Sequence, residues 1–281
     1  MTRPIAQFAR IALMALLAAC APPHKKDMPP TVQAIQPGYE AVQDGDFLIP
    51  GVEARLFMPG MERSVVPYNG DEDAGTIVVD TFARKLYHVM DGGLAERYAI
   101  AVGREGLSFR GSGVIGRLEE WPSWQPTGNM IATRPDLYAA FAGGLPGGLD
   151  NPLGARAMYL FRGGRDSHFR IHGTIDNASI GHATSAGCIR LFNQDAIDLY
   201  GKVEVGTKVK VRTLDESVTL EGAYIDDAYG RAVPDTPENQ AQKVIDAEKI
   251  AAQEAANPEL AAFDAAARAA EAAAKRQAGG N

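Results

Sequence analysis

Cys188 and His172 are the two side chains in this sequence that together could make a covalent nucleophile. Cys188 is the only cysteine after position 20, and His172 stands sixteen positions before it. A thiol attacks as its thiolate, and a histidine brought beside it by the fold takes the proton. The flanking residues suit acyl transfer. Gly187, directly before the cysteine, fits a tight turn that would aim the Gly187 and Cys188 amides at a developing oxyanion. Arg190 sets a permanent, fork-shaped cation two residues past the thiol, where it would bind a substrate carboxylate or stabilise the thiolate. Ser185 opens the same run, and its hydroxyl would orient the nucleophile loop. Taken singly, a buried structural thiol or a hydrogen-bonded core histidine would explain Cys188 or His172 as well.

These residues need a scaffold. With residues 169–172 as a strand, His172 and Arg170 share one face, while Phe169 and Ile171 point into the core. His172 then looks outward into a groove, and the loop 173–186 brings Cys188 back opposite it. Residues 76–80 and 85–90 read as a hairpin around a tight connection at 81–84. Further strands are expected at 96–103, 114–118, 158–161 and 207–212. Short helices are expected at 136–141 and 193–203, the second capped by Asn193 with Ala196, Ile197, Leu199 and Tyr200 on its apolar face. The expected fold is mainly β, an antiparallel sandwich or barrel-like domain over residues 74–214 with a few short helices. His168, Arg170 and His182 are secondary candidates for the groove, with solvated positions as the alternative. Trp121 and Trp124 would either stack on substrate or cover the edge of the core.

The rest of the chain bounds the reading. It has 281 residues, 46% of them hydrophobic, and a net charge of -7. That acidity excludes a nucleic-acid footprint, which requires a basic face. Glycine-rich runs at 103–108 and 143–150 lack the lysine and hydroxyl residue of a phosphate loop and read as turns. Arg3 and Arg10 precede a short apolar run at 11–19, the layout of a secretory signal over residues 1–19. It ends Leu17-Ala18-Ala19-Cys20, which resembles the lipobox of bacterial lipoproteins. That resemblance implies cleavage before Cys20 and lipidation of its thiol, hence a periplasmic domain held to a membrane by its acyl chains. Ala21, rather than aspartate, follows Cys20 and favours the outer membrane over the inner. A plain signal peptide cut near Ala19 would leave Cys20 incidental. Residues 20–37, with five prolines, read as an extended tether. Residues 38–73 read as an irregular extension beside the main domain. Residues 215–281 read as a solvated helical tail, with 15 alanines among the 28 residues 251–278.

The central string, Ile171-His172-Gly173-Thr174 and then Ser185-Ala186-Gly187-Cys188-Ile189-Arg190-Leu191, resembles the YkuD-type catalytic domain of the L,D-transpeptidases. The likeness extends through Ile180-Gly181, through residues 121–126 and through 151–160, and covers roughly residues 75–213. Ala186 stands where many members carry histidine, so that position is not read as catalytic. The resemblance implies a peptidoglycan enzyme without metal or cofactor that typically reacts with carbapenems. Cys188 would attack the carbonyl of the L-centre of meso-diaminopimelate in a stem tetrapeptide, releasing D-alanine. His172 would move the proton, and the Gly173 carbonyl would hold its tautomer. The acyl group would pass to an amine, giving a 3-3 cross-link or attachment of a lipoprotein. Passage to water would instead make the chain a hydrolase. An inactive wall-binding lipoprotein is a further reading, against which the intact His172, Gly187, Cys188 and Arg190 argue.

Overall fold

The structure, a computed structural model, describes residues 34–103, 110–133, 135–184 and 188–257. The expected leader, Cys20, the tether up to residue 33, Ser185, Gly187 and the tail beyond residue 257 lie outside the described residues.

The described residues open with a small hairpin, β1 (Val42–Asp44) and β2 (Phe47–Ile49), followed by β3 (Ser64–Pro67). The expected hairpin at 76–90 is present as β4 (Ile77–Asp80) and β5 (Lys85–Met90), in register from Ile77 opposite His88 to Asp80 opposite Lys85. Every residue of β4 is buried, which fits its β-branched run. Residues 96–103 do not form one strand. They divide into β6 (Leu94–Ala99) and β7 (Ala101–Gly103), and the chain leaves one part of the sheet for another at Ile100. Next come β8 (Gly111–Glu120), the short helices α1 (Gly128–Thr133) and α2 (Pro135–Tyr138), β9 (Arg156–Arg162) and β10 (Arg165–His172). Two-residue strands β11 (Ala183–Thr184) and β12 (Ile189–Arg190) come before and after Cys188, and α3 (Asn193–Tyr200) and β13 (Lys208–Val211) follow.

Eleven strands form one sheet in the order β11-β7-β12-β10-β9-β8-β13-β4-β5-β6-β3. Only β11–β7, β12–β10 and β13–β4 pair in parallel; the other junctions are antiparallel. Ile77, Leu86 and Tyr98 from one half of that order share a core with Val102, Met158, Ile171 and Ile189 from the other. Ala196 and Leu199 of α3 lie in the same core, so the sheet curves around this helix. A second cluster joins Tyr39, Val52 and Met61 to Ile180 and Phe192.

The flanks of the domain are more ordered than their composition suggests. Within the expected tether, Ala34 and Gln36 already bond the domain: Ala34 O accepts from Ala54 N at 2.8 Å and Gln36 N donates to Val52 O at 2.9 Å. Arg156 holds β1 by a bidentate pair to Asp44 at 2.7 and 2.8 Å. Beyond residue 213 the chain forms α4 (Leu214–Glu221), a hairpin of β14 (Tyr224–Asp226) and β15 (Ala232–Pro234), and α5 (Pro237–Ala256). Thr213 and Glu216 close a capping box at the start of α4. This helix is fastened rather than solvated. Ser217 donates to the buried Asp80 at 2.9 Å, and Glu221 takes the buried Arg212 at 2.8 Å and Lys85 at 2.8 Å. Residues 237–256 are mostly exposed, as expected for that stretch.

Glu221→Ala should therefore lower stability to urea by on the order of 2–3 kcal/mol, because it leaves a buried guanidinium short of a carboxylate. Lys249→Ala, which breaks an exposed pair with Asp246, should leave the urea midpoint unchanged.

Candidate active site

A cavity of about 600 Å³ opens over strands β8, β9, β10 and β12, and His172, Cys188 and Arg190 all line it. Strand pairing brings them there. β12 lies parallel to β10 with Ile171 opposite Ile189 and His172 opposite Arg190. Ile171 and Ile189 face the core, so His172 and Arg190 face the opposite side, as does Cys188 by alternation. The nucleophile loop is pinned at its end: the Cys188 carbonyl accepts from Gly103 N at 3.0 Å, and Leu191 N donates to the His172 carbonyl at 2.8 Å. Cys188 and Arg190 are half-buried.

His172 is more enclosed than the alternation of a bare strand implies. It is 3% exposed, although it lines the cavity together with Leu153. Its Nδ1 lies 2.5 Å from the Gly173 carbonyl oxygen. A carbonyl only accepts, so Nδ1 carries the proton and Nε2 keeps its lone pair. Burial, reinforced by the neighbouring Arg190 charge, pulls the imidazole down to about 3, against the opposing pull of the Gly173 and Leu153 carbonyls. The ring is neutral at physiological pH, as a proton acceptor must be.

Asn193 holds this arrangement. It is not the cap of α3; Phe192 occupies that position, and no side chain caps the helix. The buried Asn193 amide instead donates to Thr174 O at 2.8 Å and accepts from Ala155 N at 2.9 Å. It thereby grips the turn that follows His172. A Cβ on Gly173, or on Gly154 with its φ of +65°, would collide with Asn193 Oδ1. The next two residues tie the same helix turn to the N-terminal segment. Gln194 donates to Glu40 O and Pro50 O at 3.2 and 3.0 Å, and Asp195 accepts from Tyr39 Oη at 3.1 Å and faces Arg63. Burial pushes the Asp195 carboxyl up to about 7.

The secondary candidates separate. His168, Arg170 and Trp124 line the cavity; His182 and Trp121 are not among its lining residues. His182 Nδ1 faces Tyr229 O at 3.1 Å, beside the β14–β15 hairpin, and Trp121 packs on Phe47 with ring centres 4.2 Å apart. Phe169 packs against the core and also touches the cavity. A register shift in β10 between Asp166 and Arg170, with His168 at φ +62°, breaks the strict alternation there. Ser185 and Gly187 lie outside the described residues. Among the described residues, no group of three or more His, Cys, Asp and Glu side chains could hold a metal ion.

Residues 74–211 match the family described as YkuD, the L,D-transpeptidase catalytic domain. ORF 5 in the ATP synthase subunits region of Fuscovulum blasticum, whose name assigns it to the L,D-transpeptidases, is 39% identical over 137 residues, covering 48% of this chain and 68% of that protein. The chain belongs to the YkuD family of L,D-transpeptidases. The probable L,D-transpeptidase ErfK/SrfK of Escherichia coli K12 is 34% identical over 178 residues, 61% of this chain; the match spans about half of that relative, 53% of its length. A solved Brucella melitensis protein, described as a probable carnitine operon oxidoreductase CaiA, is 44% identical, covering 57% of this chain and 99% of that one, with a TM-score of 0.40.

Within this YkuD domain, sequence reasoning overlooked Asn193 as a clamp, together with Arg117 and Tyr159 on the cavity wall and the apolar Met130, Tyr138 and Phe141. Only the polar residue so soon after Cys188-Ile189-Arg190 offered a signal, and it was read as a cap.

Gly173→Ala should abolish thiol acylation and lower the melting temperature, although the carbonyl it carries is unchanged. Acylation by a carbapenem, followed by intact mass, measures the first effect. The two buried titrating groups predict a second result. His172 is depressed from about 6.5 to about 3, so its contribution to stability is present above pH 6.5 and is lost as the pH falls towards 3. Asp195 is raised from 3.8 to about 7, so its contribution is present below pH 3.8 and is lost as the pH rises towards 7. Between about pH 4 and 6.5 the two slopes oppose each other. Asp195→Asn removes one of them, and its melting temperature should fall more steeply on acidification than that of the parent.

Proposed function

We propose that this chain is a peptidoglycan L,D-transpeptidase with Cys188 as nucleophile. The observation that carries the reading is the shared cavity: Cys188, His172 and Arg190 line it together, and the His172 imidazole is neutral with its Nδ1 proton committed to Gly173. With Nδ1 committed to Gly173, Nε2 is the nitrogen of His172 left to accept the thiol proton. The Cys188 proton then moves to His172 Nε2 as the sulfur attacks the carbonyl carbon of the L-centre of meso-diaminopimelate. The carbonyl π electrons pass to oxygen, and Arg190 supplies positive potential beside the developing charge. When the tetrahedral centre collapses, the peptide bond breaks and Nε2 returns the proton to the departing D-alanine amine. A thioester remains on Cys188. An acceptor amine attacks the thioester carbonyl and loses its proton to His172 Nε2; as the new amide forms the C–S bond breaks, and Nε2 returns the proton to the Cys188 sulfur. The acceptor is an amine of a neighbouring stem or of a lipoprotein, and water in its place gives hydrolysis. Gly187, with the Cys188 amide, serves the oxyanion in this scheme, and Ser185 orients the loop.

The reading extends to location. Cys20 carries the lipid, the residues after it form the tether, and the domain works in the periplasm from the outer membrane. The net charge of -7 leaves nucleic acid outside its partners.

Incubation of the protein with muropeptide tetrapeptides, read by mass, tests the reaction. Cross-linked dimers that have lost one D-alanine support transpeptidation, and shortened monomers alone assign hydrolysis instead. Cys188→Ala should lose all turnover; retained turnover overturns the mechanism. Cys20→Ser should move the protein from the membrane to the soluble fraction, and unchanged fractionation removes the lipid anchor.

A further inference from the structure

The cavity has an electrostatic character opposite to that of the chain. Its described lining carries Arg117, Arg170 and Arg190 against one carboxylate, Asp150, on a protein of net charge -7. A concave, part-apolar site lined by one sign of charge concentrates ligands of the other sign. The three arginines are also not scattered. Arg117 of β8 stands opposite Tyr159 of β9, and Tyr159 stands opposite Arg170 of β10. Because Ile171 pairs with Ile189, the position opposite Arg170 on the next strand is Cys188. Arg117, Tyr159, Arg170 and Cys188 therefore form a single cross-strand row that ends at the thiol. At roughly 4.8 Å between strands, Arg170 lies about 5 Å and Arg117 about 14 Å from the nucleophile's strand.

The row is built rigidly. Tyr159 is sandwiched between the two guanidinium groups, 3.6 Å from Arg117 and 4.3 Å from Arg170. Its hydroxyl donates to Glu119 at 2.6 Å, and burial with that carboxylate pushes it up to about 12, so it adds no negative charge. Asp166 holds Arg170 in a bidentate pair at 2.8 and 2.9 Å, and Glu119 lies 3.3 Å from Arg117. Neither carboxylate lines the cavity. Stacking occupies the faces of the guanidinium groups. Asp166 and the Phe169 carbonyl take the Nη edge of Arg170, whereas Glu119 approaches Nη1 of Arg117, so the in-plane donors that suit a carboxylate are those on the other edge of Arg117.

We propose that the Arg117–Tyr159–Arg170 row is a carboxylate-binding subsite that selects acyl donors carrying an acidic residue ahead of the attacked one. The inference rests on the transpeptidase reading. The donor lies across the strands with its reacting carbonyl at Cys188. Arg190 takes the charge of the reacting residue, Arg117 takes the carboxylate of the residue before it, and Arg170, fixed by Asp166, holds Tyr159 and with it the Arg117 guanidinium in place. The opposite wall, with Trp124, Tyr138 and Phe141, covers the apolar side of the peptide.

The test compares two synthetic stem tetrapeptides, in which the glutamate that precedes diaminopimelate has its α-carboxylate either free or amidated. For the free acid, Arg117→Gln should raise KM about tenfold and leave kcat nearly unchanged, the size expected for one charge-assisted hydrogen bond. For the amidated peptide the same substitution should change KM by less than about twofold. Lys208→Gln removes a positive charge paired with Asp73 outside the cavity, and should not discriminate between the peptides. Equal effects of Arg117→Gln on both peptides, or none on either, overturn the subsite. If the unsubstituted enzyme turns over neither peptide, the transpeptidase reading fails separately. Calorimetric binding of the same peptides to Cys188→Ser then decides the subsite. Tighter binding of the free acid, lost with Arg117→Gln, supports it; equal affinities overturn it.

Discussion

The hydrogen bond from His172 Nδ1 to the Gly173 carbonyl is the contact on which the rest of the site depends. It fixes which nitrogen can accept a proton, and it exists only because the backbone turns sharply after His172. Asn193 holds that turn from α3, through Thr174 and Ala155, and the space it needs is kept by glycine at 154 and 173. Asn193, Gln194 and Asp195 occupy one turn and face three ways, towards the histidine turn and two parts of the N-terminal segment. The segment from Tyr39 to Arg63 is accordingly part of the support for His172, and its burial against Phe192 and Ile180 reinforces the link.

Charge is managed separately in the core and in the cavity. Buried carboxylates and guanidinium groups such as Asp80, Arg212 and Glu221 are matched to each other, and together they fasten α4 to the sheet. In the cavity the balance is left positive, while Glu119 and Asp166 steady the arginines from behind. An acidic protein can thus offer a cationic site to an acidic polymer without being generally attractive to polyanions.

The legible parts of the sequence were local. The string from His172 to Leu191 declared the family, because its motif lies within one short stretch of chain. The β4–β5 hairpin was legible from its β-branched runs and tight turn. What escaped depends on pairing between distant segments. Arg117, Tyr159 and Arg170 mean little until register lays three strands side by side. Residues 96–103 have an unbroken strand pattern, yet the chain changes partners at Ile100, and local pattern carries no partner information. Asn193 matched the rule for helix caps, but tertiary hydrogen bonds outcompeted that use. The bulge near His168 likewise cancelled the alternation that assigned Phe169 to one side only.

The wall formed by residues 121–151 has a further consequence. Its ends are closed by the mutual Trp124–Leu145 bonds, and Asn151 bonds the carbonyls of Pro122 and Pro146. Between these staples lie α1 and α2, whose Leu137, with the nearby Phe141, is left largely uncovered by the protein itself. The main core draws none of its buried residues from this span. The segment is therefore a cassette: a wall of the cavity stapled at its ends by its own backbone bonds and carried outside the main core.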